Sequence, residues 1–136
     1  FELHNSHVCA ATITKVLDAE KEIIVWGDGS ESRDLLYISD LVDLVLLLWE
    51  KQSEKYLLIN AGSEKLISVK DLTYKILSIC KKTLDIRFDN SKPTTKFTSL
   101  LDISKAKQSF GWLPKIELDK GLHETINFRK KELGLI

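Results

Sequence analysis

The spacing of apolar and polar positions changes several times along the chain, and each change marks an element. From Val8 to Ala19 the apolar positions are 8, 9, 13, 16, 17 and 19. That period predicts a helix with Lys15 and Asp18 on its exposed side and Ser6 as its N-cap. Glu22–Trp26 is a short β-branched strand, and Leu35–Ile38 is a second strand-like run behind a polar, glycine-containing segment. Ser39 or Asp40 then caps a strongly apolar helix that runs to about Lys51. Tyr56–Asn60 is nearly all apolar, which predicts a third strand covered on both faces, as in the middle of an α/β sheet. Ala61 to Leu66 turns through Gly62. Ser68 caps a helix from Val69 to about Lys82, with its apolar stripe at Val69, Leu72, Ile76, Ile79 and Cys80. Asp85–Phe88 reads as a strand, Asn90 to Ser99 as a polar loop held by Pro93, and Leu100–Ile103 as a brief extended piece. Ser104 starts a helix that Gly111 ends. The last helix, Leu118 to about Leu133, opens with Asp119 and closes with the basic run Arg129 to Lys131, as the helix dipole favours. The pattern predicts an α/β chain of four or five short helices and about five short strands.

Composition narrows the function classes. A chain of 136 residues is one modest domain or part of a larger one. Basic and acidic residues number 20 each, so charge makes no case for nucleic acid or an anionic membrane surface. The longest apolar run, Leu41 to Trp49, is broken by Asp43 and falls short of the roughly 20 residues a membrane span needs. Cys9 and Cys80 fit no metal or redox spacing. With no recognisable targeting segment, free thiols in a reducing cytoplasm are the expectation. The chain starts at Phe1 and contains no Met, so a piece of something longer is expected.

Four clusters carry candidate chemistry. Gly27-Asp28-Gly29 follows a strand, but the segment after it leads to another strand-like run, not to the helix that a dinucleotide turn requires. The two glycines therefore read as turn formers. Trp26 and Arg33 bracket this loop; an aromatic plane and a guanidinium can stack a base and fork onto phosphate, or be a core Trp and a surface Arg. His4 and His7 are three apart but lack a third metal ligand. His7, at a helix start, is a candidate acid/base group or a structural histidine. Lys92 and Lys96 flank a proline-stiffened loop that can meet a diphosphate or be simply solvated. Phe110 to Pro114 reads as packing and turn chemistry.

The order of these segments is more telling than any one of them. WGDGSESRDLLYISDLVD, LLINAGSEKLISVKDL, DNSKP and LLDISKAKQSFGWLPKIELDKGLHET together resemble the C-terminal, substrate-binding portion of an extended Rossmann-type short-chain dehydrogenase/reductase. This is the NAD-dependent epimerase/dehydratase family, which acts on nucleotide sugars. NSHV, VWGDG and DNSKP most resemble its GDP-L-fucose synthases. The resemblance implies that Trp26 lies against the substrate, Arg33 holds its phosphate, and Lys15 and Lys92 contact it. It implies that His7 is the acid/base group of epimerisation, working against an upstream Cys and lying close to the nicotinamide end of the cofactor. The implied cofactor is NADP, bound mainly by an upstream part that supplies the glycine-rich turn and the Tyr-x-x-x-Lys pair. The implied ligand is a GDP-sugar, and the implied parent enzyme is a homodimer. Residues from about 40 to 60 are then expected to pack on that cofactor domain, leaving an apolar patch such as Leu44, Leu47 and Leu48 exposed without it. The chain departs from the family pattern at Thr98 and Ser99, where a basic pair is usual. A non-catalytic nucleotide-sugar binding module and another nucleotide-sugar epimerase/dehydratase are the alternative readings.

Overall fold

The computed structural model describes residues 6–92 and 98–136. The order is α1 (Val8–Asp18), β1 (Glu22–Trp26), β2 (Ser32–Asp34), α2 (Ile38–Lys51), β3 (Leu66–Ser68), α3 (Val69–Cys80), β4 (Asp85–Asp89), α4 (Ser104–Phe110) and α5 (Leu118–Glu132). β1 and β4 pair in parallel, with Ile23 opposite Ile86 and Trp26 opposite Asp89. A parallel pair needs a crossover. Here everything from residue 27 to residue 84 forms it, including α2 and α3. β2 and β3 make a second, antiparallel pair, with Arg33 opposite Ile67.

Two apolar clusters hold these pieces together. The larger joins Ile13 and Val16 of α1, Ile23 of β1, Leu72 and Ile76 of α3, and Leu122 and Ile126 of α5. The smaller joins Leu44 of α2, Ile103 and Ala106 at α4, and Trp112. Leu35 packs on the first and Leu36 on the second, so adjacent side chains link the two. The buried Asp40 ties the start of α2 to the segment after α4: its carboxylate accepts from the Ile116 amide at 3.0 Å, and its carbonyl accepts from the Trp112 indole at 3.2 Å. This bears out the packing role expected of the Phe110 to Pro114 stretch. Gly111 terminates α4 in the left-handed conformation, φ 67°, also as expected. Ser68 caps α3, accepting from the Asp71 amide at 2.9 Å.

Several expectations require correction. Ser6 does not cap α1; the N-cap residue is His7. Leu35–Ile38 is not a strand. Pairing is confined to Ser32–Asp34, after which Tyr37 becomes the N-cap of α2, displacing Ser39 and Asp40 from that role. The turn from Ala61 holds through Lys65, and β3 then begins at Leu66 and runs to Ser68, a strand the sequence pattern does not predict. Tyr56–Asn60 forms no strand, because no other strand of the described residues lies alongside it to complete its hydrogen bonds. Nor is it covered on both faces: Ile59 packs on the smaller cluster, but Tyr56 is 77% and Leu58 69% exposed. The apolar patch on α2 is real but turned around: Leu44 is buried and Leu47 and Leu48 pack beside it, whereas Val42, Val45, Leu46 and Trp49 are exposed, Trp49 to 88%. Periodicity shows that α2 is apolar nearly all round, and the inner face is chosen by Trp112 and Ile103, which are far away in sequence.

Candidate functional site

A cavity of about 820 Å³ opens between the start of α1, the end of β1 and β2. Such a volume is in the range of small-molecule sites. Its walls include His7 and Lys15 from α1 and its cap, Trp26 from the last position of β1, and Glu31, Arg33 and Asp34 from the approach to β2 and the strand itself.

The loop between β1 and β2 sets this geometry. Gly27 and Gly29 both lie at positive φ, 73° and 75°, a region that costs other residues about 1–2 kcal/mol. The loop is pinned by backbone bonds: Gly27 N–H donates to Asp89 at 2.9 Å, and its carbonyls at Gly29 and Glu31 accept from Lys70 at 3.0 Å and Val69 at 2.8 Å. The first amides of α3 are thereby satisfied, and the chain proceeds from Gly29 into a strand. No helix opens behind these glycines, as the sequence predicts, so they do not build a dinucleotide pyrophosphate site.

Of the predicted site residues, Trp26 is 53% exposed and is not a core residue; the buried tryptophan is Trp112. Lys15 is not on an exposed helix face as its period suggests. Its stem crosses to β1, where Nζ donates to the Ile24 carbonyl at 2.9 Å and stands 5.7 Å from the centre of the Trp26 ring, within cation–π range. Burial pulls the pKa of this ammonium below its ordinary value. Arg33 is partly buried and engaged: Nη2 meets the Glu31 carboxylate at 3.1 Å and Nη1 donates to the Ser32 carbonyl at 3.0 Å. His7 is exposed at the cavity wall, its carbonyl accepting the Ala11 amide at 3.0 Å. The structure thus brings four of the five predicted residues to one cavity. Lys92 is not among them. It is exposed in the turn after β4, three residues beyond Asp89, the register partner of Trp26. Lys96 and His4 lie outside the described residues.

Cys9, two residues after His7, also lines the cavity. Both cysteines are free thiols, and burial pushes each above its ordinary pKa. Cys9 is accordingly a protonated, weak nucleophile.

Two functional candidates escape the sequence reading. Asp34 accepts from the Ser63 amide at 2.7 Å and the Leu101 amide at 3.4 Å, fastening β2 to two distant segments. Glu31 stands two residues from Arg33, on the same side of an extended segment, and that spacing is the signal that could have found it. A second cavity, of about 510 Å³, lies under β3. Its cations are neutralised, Lys65 by Glu117 at 2.8 Å and Lys75 by Asp119 at 2.6 Å. Among the described residues no group of three or more His, Cys, Asp or Glu side chains can hold a metal ion, and no helix is long and apolar enough to cross a membrane.

Residues 1–62 match the NAD dependent epimerase/dehydratase family. The match supports an epimerase/dehydratase family domain in this part of the chain. The probable GDP-L-fucose synthase 1 of Oryza sativa subsp. japonica is 35% identical over 130 residues, which are 92% of this chain and 39% of that protein. The GDP-L-colitose synthase of Yersinia pseudotuberculosis is 27% identical over 132 residues, 94% of this chain and 42% of that protein. Among solved structures, the UDP-glucose 4-epimerase of Thermotoga maritima, crystallised with UDP-glucose, superimposes with a TM-score of 0.79 at 28% identity, covering 94% of this chain and 40% of that one. The chain therefore has the α/β fold of the Rossmann-type short-chain dehydrogenase/reductases over its length. It spans about two fifths of the length of the relatives it matches.

Proposed function

We propose that this chain is the nucleotide-sugar-binding portion of an NAD(P)-dependent nucleotide-sugar epimerase/reductase. The reaction assigned to the whole protein is 3,5-epimerisation and 4-reduction of a GDP-4-keto-6-deoxy-mannose, the GDP-L-fucose synthase reaction. One observation carries the reading: His7, Lys15, Trp26 and Arg33, contributed by α1, its cap and two strands, wall a single cavity. Arg33 forks onto the diphosphate, as a planar guanidinium suits. Trp26 offers its exposed face to the nucleotide, and Lys15 adds a second cation beside it. His7 moves a proton at a carbon next to the ketone. Lys92 meets the diphosphate from the rim.

The nicotinamide cofactor, when bound, supplies the hydride for reduction. The glycine loop of this chain leads into β2, so within the chain the fit to that cofactor is limited to His7. The rest of the cofactor site, with NADP preferred, falls to the upstream part of a cytoplasmic, homodimeric enzyme. The exposed face of α2 and the unpaired Tyr56–Asn60 segment are assigned to contact with that cofactor domain; their exposed apolar side chains support it.

The similarity to a colitose synthase supports a different GDP-sugar as the second reading. Turnover of the competing 4-keto sugars by the whole protein separates the two. A non-catalytic module is the third, and an upstream sequence without Tyr-x-x-x-Lys would favour it.

Arg33→Lys tests the site directly. The substitution keeps the charge and loses the fork, so KM for the nucleotide sugar is expected to rise about tenfold while kcat changes little. Steady-state kinetics on the whole protein measures both. An unchanged KM removes Arg33 from the site.

A further inference from the structure

The cavity holds one polar group that its own architecture leaves unsatisfied. Glu31 and Arg33 form a partly buried ion pair, with side chains 14% and 29% exposed, made through Glu31 Oε2 at 3.1 Å. The other carboxylate oxygen, Oε1, is buried and has no hydrogen-bond partner among the described residues. The neighbouring carboxylate, Asp34, differs: both of its oxygens are taken, by Ser63 and by Leu101. A buried carboxylate oxygen left unpaired is costly, and a donor brought to it forms a charge-assisted bond.

Charge alone makes Glu31 a poor neighbour for a diphosphate. The cavity wall carries two cations, Lys15 and Arg33, against two carboxylates, Glu31 and Asp34. An anionic ligand gains little from such a balanced wall unless it also brings a donor to Glu31. Resting on the nucleotide-sugar reading, we infer that Glu31 is a specificity-determining residue whose Oε1 accepts a hydrogen bond from a ligand hydroxyl while its Oε2 keeps Arg33 aimed at the phosphate. A ribose or a pyranose ring can supply that hydroxyl. The pair then reads a hydroxyl and a phosphate together, and a ligand with only one of them is bound less well.

Titration calorimetry on the whole protein tests this with GDP, 2′-deoxy-GDP, 3′-deoxy-GDP and GDP-mannose, against wild type, Glu31→Gln and Glu31→Ala. If the hydroxyl is the ribose's, wild type binds GDP about tenfold tighter than one of the deoxy nucleotides, and in Glu31→Ala that gap closes. If the hydroxyl is the sugar's, the gap that closes is the one between GDP-mannose and GDP. Glu31→Gln gives an intermediate result, since its amide oxygen still accepts but carries no charge. Loosening of Arg33 affects every ligand alike, so the difference between ligands isolates Oε1. Equal sensitivity of all four ligands to both substitutions, or tighter binding by Glu31→Gln, overturns the inference and leaves the nucleotide-sugar reading standing. Failure of wild type to bind any of the four overturns both.

Discussion

His7→Gln in the whole protein is expected to slow exchange of solvent protons into the sugar ring by roughly 10²-fold or more. Epimerisation beside a ketone requires one group to remove the α-proton and another to return a proton on the opposite face. His7 is suited to one of these roles by its chemistry and position. Imidazole is the side chain that exchanges protons near neutral pH. This one is exposed at the start of α1, on the wall of the cavity that holds Trp26 and Arg33. Cys9, two residues on, lines the same cavity but is kept protonated by burial, which unfits it as the base. Glutamine preserves the size and hydrogen bonding of the imidazole and removes only its proton transfer. Reduction of an already epimerised ketone is expected to change far less, because His7 does not deliver the hydride. Deuterium incorporation from solvent, followed by NMR, reads the first quantity and NADPH oxidation the second. Exchange at the wild-type rate would make His7 a structural histidine.

Gly29→Ala is expected to destabilise the fold by about 3 kcal/mol, lowering Tm by roughly 10 °C. Two costs add. The φ of 75° is unfavourable for any residue with a Cβ. That Cβ would also stand 2.7 Å from the Phe88 ring and 3.0 Å from Lys70 Cβ, where β4 and α3 leave no room. Gly29 lies between Trp26 and Arg33, so the loop cannot relieve the contact without moving one of them. Calorimetry of the purified variant measures the loss. A Tm within about 2 °C of wild type would show that the loop is free to shift, and that its close packing does not fix the cavity.

The parts of the fold legible in the sequence are those with local causes. β1 is readable to the residue, α3 is marked by its Ser68 cap, and α4 by the glycine that ends it. The failures have nonlocal causes. Leu35–Ile38 has the composition of a strand, but β3 pairs only as far as Asp34 and α2 claims the remainder. Tyr56–Asn60 has a strand's composition and no partner. Lys15 falls on an exposed face by period because a helical wheel cannot see the Ile24 carbonyl nine residues away. At the site, the loop glycines can be denied a dinucleotide role from sequence because the chain beyond them does not enter a helix. That Trp26, Arg33, Lys15 and His7 converge is implied by family resemblance and by nothing in their individual spacing. For Glu31 the spacing to Arg33 shows only a shared side of an extended segment; its importance depends on one buried oxygen, which no sequence pattern records.

The most direct measurement is a crystal structure of the whole protein with GDP-mannose. The expected result is the diphosphate within hydrogen-bonding distance of Arg33, the nucleotide sugar against Trp26, and the pyranose ring directed towards His7. A ligand bound instead in the second cavity beside Lys65 and Lys75, or with its diphosphate clear of Arg33, would contradict the assignment of this cavity as the substrate site.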